Sequence, residues 1–139
     1  MAMIWMFDTD TLIYFVNRKP GFEHIARRMS GRSPGELRLS AVTLAELKSG
    51  IENGEFRAEN RRALTDVLQL LQTDDLPSGA AQDFGEIKSA LVRKGKMIGP
   101  YDMLIAAHAR HVGATVVTNN EREFRRVPGL AVQSWLKPG

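Results

Sequence analysis

The chain has 139 residues, 43% of them apolar and 25% charged, proportions that exclude disorder and collagen-like repeats. With 19 Lys and Arg against 16 Asp and Glu, the net charge is +3, which permits an anionic partner without demanding one. Cysteine is absent, so disulfides, thiolate nucleophiles and cysteine metal sites are excluded.

The apolar opening, Met1 to Phe7, is too short to cross a bilayer. No basic residues precede it and Asp8 closes it, so it does not read as a secretion signal. A soluble, cytoplasmic protein with no membrane contact is expected. Within the opening, Met3 to Phe7 is continuously apolar, like a strand buried on both faces of a parallel sheet. Asp8 then begins a turn, and Leu12, Ile13, Phe15 and Val16 suggest a short helix. After Pro20 and Gly21, a second helix carries Phe22, Ile25, Ala26 and Met29 on its apolar side. Ser33, Pro34 and Gly35 make a loop. Leu37, Leu39 and Ala41 alternate with polar neighbours as in a strand, and a helix from about Thr43 to Glu52 follows.

From Arg57 to Gln72, the residues Leu64, Val67, Leu68 and Leu71 recur at helical spacing, until Pro77 and Gly79 break the pattern. The next helix covers Ala81 to Lys94, with Phe84, Ile87, Ala90 and Leu91 inward. Gly95, Lys96 and Gly99 form a loop, and Pro100 suits the first turn of a helix running through His111. Gly113 is a good stop. Ala114 to Thr118 is then a buried strand, and Leu130 to Trp135 is the last. Strands alternating with helices imply βαβ units. The expected fold is α/β: a three-layer domain with a central parallel sheet flanked by helices. A chain of this length buries about two-thirds of its unfolded surface, enough for one core, so residues 1–139 are expected to form a single domain.

In open α/β sheets, sites form where strands end and helices begin. Four polar stretches fall at such places: Asp8, Ser40 to Glu46, Asp102, and Thr118 to Asn120. Three of them supply a carboxylate: Asp8, Glu46 and Asp102. Charges about 5 Å apart repel by roughly 3 kcal/mol per pair at an effective dielectric near 20. Such a cluster takes up protons or spreads apart, unless a hard cation such as Mg²⁺ or Mn²⁺ sits among the oxygens. Each residue also has a purely structural reading. Asp8 suits a helix cap. Glu46 follows Thr43 by three residues, the spacing of a capping box. Asp102, just after Pro100, favours a helix N-terminus electrostatically. Both readings stand on pattern alone.

The same residues resemble those of the PIN-domain ribonucleases, and within them the VapC toxins of bacterial type II toxin–antitoxin pairs. Trp5-Met-Phe-Asp-Thr-Asp10 is similar to the opening strand with its first catalytic aspartate. Ser40-Ala-Val-Thr-Leu-Ala-Glu-Leu47 is similar to the motif that carries the glutamate, and Ile98-Gly-Pro-Tyr-Asp-Met-Leu-Ile-Ala-Ala107 to the one with the later aspartate. Val116-Val-Thr-Asn-Asn120 with Arg122-Glu-Phe-Arg-Arg-Val-Pro-Gly-Leu130 resembles the C-terminal signature of one VapC subgroup. Four motifs in order cover nearly the whole chain.

The resemblance implies that Asp8, Glu46 and Asp102 are catalytic carboxylates that bind Mg²⁺, or Mn²⁺, for attack of water on an RNA phosphodiester. Thr118 and Asn120 are implied as supporting residues. It further implies a homodimer, a VapB-type antitoxin that inhibits it, and operator DNA bound only through that antitoxin. The subgroup points to a structured RNA, such as the anticodon stem-loop of initiator tRNA. The antitoxin is expected in a groove around Leu12 to Val16 and Leu44 to Ile51, residues that serve equally well as ordinary core. Two departures stand out. Many relatives have asparagine in place of Asp10, and many have a fourth acid where this chain has Thr118-Asn119-Asn120; Glu121 is the nearest substitute.

A rival reading takes Asp8-Thr-Asp-Thr-Leu12 as the first motif of a haloacid-dehalogenase-type phosphatase. Asp8 would be the phosphoryl nucleophile, Asp10 the general acid and Ser40 the second motif. That family's late acids follow a strand, whereas Asp102 follows Gly99 and Pro100. A module that kept the fold and lost activity is a third reading, which the retained carboxylates oppose. His108 and His111, three apart, lack a third zinc ligand and read as surface or packing residues. Arg27, Arg28, Arg32, Arg122, Arg125 and Arg126 are candidate phosphate contacts or simply a solvated face. Trp5 reads as core.

Overall fold

The computed structural model describes residues 3–33 and 35–136. The expected loop residue Pro34, and Met1 and Ala2 of the apolar opening, lie outside them. The described residues form five strands and seven helices: β1 (Trp5–Phe7), α1 (Thr9–Val16), α2 (Phe22–Met29), β2 (Leu37–Ser40), α3 (Ala41–Glu52), α4 (Arg57–Leu68), β3 (Gln72–Asp74), α5 (Ala80–Lys94), α6 (Pro100–Val112), β4 (Thr115–Val117), α7 (Glu121–Phe124) and β5 (Ala131–Gln133). No helix among them is long and apolar enough to cross a membrane.

The strands pair in the order β3-β2-β1-β4-β5, every pair parallel. In β1 the side chains alternate between two cores. Met6 joins Ile87, Leu91, Ile105 and Val116 on the α5–α6 face, while Trp5 and Phe7 join Leu12, Ile25, Leu47 and Leu64 on the α1–α4 face. Two apolar clusters on opposite faces of one parallel sheet are the expected three-layer α/β arrangement. The chain fills the sheet from β1 outward to β3, then crosses back to place β4 against the free side of β1. The crevice between β1 and β4 is therefore the topological switch point, where open α/β sheets bind ligands.

Several local expectations are corrected. Ala41 is not the end of a strand but the first residue of α3, because Ser40 caps that helix by accepting from Val42 N at 3.1 Å. That places Thr43 and Glu46 inside the helix and removes the capping-box reading of the pair. The helix expected to reach Gln72 ends at Leu68, and β3 follows it. Gln72-Thr73-Asp74 is polar and lies on the sheet edge, so no apolar run marks it. The short α7 also carries no signal of its own. The stop at Gly113 holds: its φ is 74°, a conformation glycine adopts without strain.

Candidate active site

Asp8 directly follows β1 and is 2% exposed. It does cap α1: one carboxylate oxygen accepts from Thr11 N at 2.9 Å. The other accepts from the Thr118 hydroxyl at 2.6 Å. Thr118 follows β4, so this bond spans the switch-point crevice. The cap and the candidate site residue are therefore one and the same. Burial pushes the Asp8 carboxyl up to about 6, against hydrogen bonds from Thr11 and Thr118 that favour its charge.

Asp102 lies in the first turn of α6 and is half-buried. Its carboxyl is also raised to about 6, first by burial and then by the charges of Asp8, Glu46, Glu123 and Asp10. Asp8 and Glu46, the other two carboxylates singled out from sequence, thus both act on Asp102. Glu46, on α3, accepts from the Thr9 hydroxyl at 2.5 Å, so the residue after Asp8 holds the second acid. Thr118 contributes its side chain. Asn120 instead contributes its backbone N–H, which donates to Thr118 Oγ1 at 2.8 Å.

Sequence reasoning missed three contributors. Thr9 and Thr11 hold Glu46 and Asp8, and the alternating Asp8-Thr-Asp-Thr11 run was the available signal. Glu123 adds a fourth negative neighbour to Asp102. Glu121 does not substitute for it, since its carboxylate pairs with Arg125 at 2.7 Å on α7. His108 and His111 share no ligand site: His108 bonds Ser40, and His111 faces Asp83 at 3.0 Å. Arg32 stacks 4.2 Å over Trp5, at the opposite end of β1 from Asp8. Trp135, like Trp5, is core.

The donor set is all oxygen, which suits a hard divalent cation. Burial raises Asp102 most, and the repulsion from neighbouring acids that adds to it is what such a cation relieves. Among the described residues, no three His, Asp or Glu side chains gather closely enough to hold one ion by themselves. Mg²⁺ commonly takes one or two carboxylates and completes its shell with water, so the residues fit an ion of that kind.

The PIN domain family model matches residues 5–130. The chain belongs to the PIN-domain family, in its VapC branch. A tRNA(fMet)-specific endonuclease VapC from Salmonella typhimurium is 38% identical over 131 residues, covering 94% of this chain and 97% of the relative. A ribonuclease VapC2 from Haemophilus influenzae is 39% identical over 132 residues, covering 95% and 98%. Among solved structures, a DNA-bound VapBC from S. typhimurium superposes with a TM-score of 0.88 at 38% identity, covering 96% of this chain and 98% of that one. A VapBC2 from Rickettsia felis bound to a promoter fragment gives 0.86 at 31% identity, covering 96% and 99%. The PIN match spans all three acids, and Asp102 enters from a helix start, so the phosphatase reading of Asp8 and Asp10 has no support.

Proposed function

We propose that this chain, as a single PIN domain over residues 1–139, is the endoribonuclease toxin of a toxin–antitoxin pair. The observation that carries the reading is that Asp102, in the first turn of α6, feels the charges of both Asp8, which follows β1 at the β1–β4 crevice, and Glu46. Asp8, Glu46 and Asp102 would hold Mg²⁺ or Mn²⁺, with Glu123 adding negative charge. Such an ion, when bound, lowers the pKa of a coordinated water and neutralises charge on the phosphodiester. The protein's own part is to keep these acids oriented: Thr11 and Thr118 fix both oxygens of Asp8, and Thr9 fixes Glu46. No histidine or cysteine is needed as nucleophile or base.

Purified protein freed of any partner should cleave RNA with Mg²⁺ or Mn²⁺ and lose that activity in EDTA. Asp8→Asn and Asp102→Asn should each remove most of it, since losing one key electrostatic contact costs about 3 kcal/mol. Full activity in excess EDTA would overturn the reading. The named activity of the S. typhimurium relative supports initiator tRNA as substrate, cut in its anticodon stem-loop. Sequencing the cleaved ends checks this, and indiscriminate cutting contradicts it.

The antitoxin reading is supported by a groove of about 180 Å³ between α1, α3 and α4. Ile13, Val16, Ile51 and Leu64 line it, and it reaches Glu46. Leu47 of the expected groove lines it too, though it is buried, whereas Leu12 is core. A helix laid in this groove would bring a basic side chain to the acids. DNA contact belongs to the complex, as in the VapBC structures solved on DNA. A homodimer is supported by apolar clefts over α3, α5 and α6, where Leu76 and Tyr101 are exposed and Leu104 is shared.

A further inference from the structure

We propose that the hydrogen bond between Ser40 and His108 sets the distance between α3 and α6, and through it the separation of Glu46 and Asp102 that a divalent cation must bridge. The inference rests on the metal reading above. Ser40 Oγ and His108 Nδ1 are 2.8 Å apart, with 0% and 1% of the two residues exposed. Ser40 Oγ already accepts from Val42 N, so its own proton is free to be donated to Nδ1. Burial lowers the basicity of His108, which keeps the ring neutral and able to accept.

The placement of this pair gives it leverage. Glu46 lies six residues beyond Ser40 on α3, and Asp102 six residues before His108 on α6. At about 1.5 Å per residue, each acid is about 9 Å along its helix from the tie. Ser40, at the start of α3, meets His108 late in α6, while Ala45 and Glu46 share a cleft with Tyr101 at the start of α6, so the helices run antiparallel, with the bond toward one end and the acids toward the other. A cleft of about 610 Å³ opens there, lined by Val42, Ala45 and Glu46 of α3 and by Tyr101 and Leu104 of α6. Repulsion between the acids acts to widen that cleft, and the buried bond opposes it. Ser40 and His108 are thus positioning residues: neither is a proposed metal ligand.

The test is Mn²⁺ binding to the folded, RNA-free protein by calorimetry, with a thermal melt of each variant as the folding control. His108→Leu keeps most of the ring's volume and loses the acceptor; it should weaken Mn²⁺ binding by about tenfold or more, the scale of lost outer-shell support. His108→Asn places an amide atom near the position of Nδ1 but leaves a void. It should melt lower than wild type yet bind Mn²⁺ within about threefold, a split that a merely structural role would not produce. Ser40→Gly keeps a serviceable helix cap without the hydroxyl, and carries the test if His108→Leu does not fold. It should match the loss expected of His108→Leu. Wild-type-like Mn²⁺ affinity in Ser40→Gly, or equal losses in the Asn and Leu variants, would overturn the inference while leaving the metal reading intact. A wild type that does not bind Mn²⁺ would overturn both.

Discussion

Asp8 illustrates a conflict between stability and function at a single residue. In the unfolded chain its carboxyl titrates near 3.8, and in the native state near 6. Between those values the native state holds the extra proton, so without metal the contribution to stability is present at low pH and is lost as pH rises through that window. A shift of this size is worth about 3 kcal/mol. Asp8→Asn should therefore stabilise the metal-free protein at pH 7 by about 1–2 kcal/mol, after about 1 kcal/mol is given back because Thr118 loses its acceptor. Melts of wild type and variant in EDTA should show that advantage at pH 7 and none near pH 4. An advantage that persists at low pH would mean that the buried charge is not its cause. Asp10, two residues on, is exposed and only adds negative charge. Asp10→Asn should keep RNA cleavage within about tenfold of wild type, roughly 1.4 kcal/mol. A larger loss would make Asp10 part of the chemistry.

Between elements, polar contacts tie α6, which carries Asp102, to α5. Arg110 on α6 donates to Asp83 at 2.8 Å, and also bonds Glu86 and the Pro128 carbonyl. Burial acts to raise the Asp83 carboxyl, but the hydrogen bonds from Arg110 and His111 outweigh it and hold it below the usual carboxylate range. Its contribution is present above the unfolded carboxylate pKa and is lost as pH falls through the depressed native value. Arg110→Ala should cost about 1–3 kcal/mol at pH 7, and the gap to wild type should narrow in urea titrations as pH falls below the ordinary carboxylate value of 3.8. On the other face, Ile51→Asp puts a charge in the α1–α3–α4 groove. It should weaken antitoxin binding at least about tenfold, or roughly 1.4 kcal/mol, with RNA cleavage retained. Unchanged affinity in calorimetry would move the antitoxin elsewhere.

For the whole molecule, the groove proposed for the antitoxin reaches Glu46, so it adjoins the proposed metal site. The exposed apolar strip that includes Leu76 lies over α5 and α6, away from the groove. Light scattering at micromolar concentration should give about twice the 15.5 kDa chain mass, and Leu76→Arg should give the monomer. A strictly monomeric wild type would defeat the dimer.

Local patterns determined much of this molecule. The continuous apolar run of β1, the helical spacing of Ile87 and Leu91, and Gly113 as a stop each depend on neighbours within a few residues, so they are legible in one dimension. Asp8, Glu46 and Asp102 were legible as candidates because their polar stretches follow strands or open helices, although pattern alone also allowed each a purely structural role. What the sequence left open was set by contacts between distant segments. The polar strand β3 exists because β2 offers it an edge, and Ala41 is helical because Ser40 caps α3. Thr118 meets Asp8 across 110 positions, Thr9 reaches Glu46 across 37, and Ser40 finds His108 across 68. Only the folded sheet brings those partners within reach, because a hydrogen bond acts over about 3 Å whatever the separation along the chain.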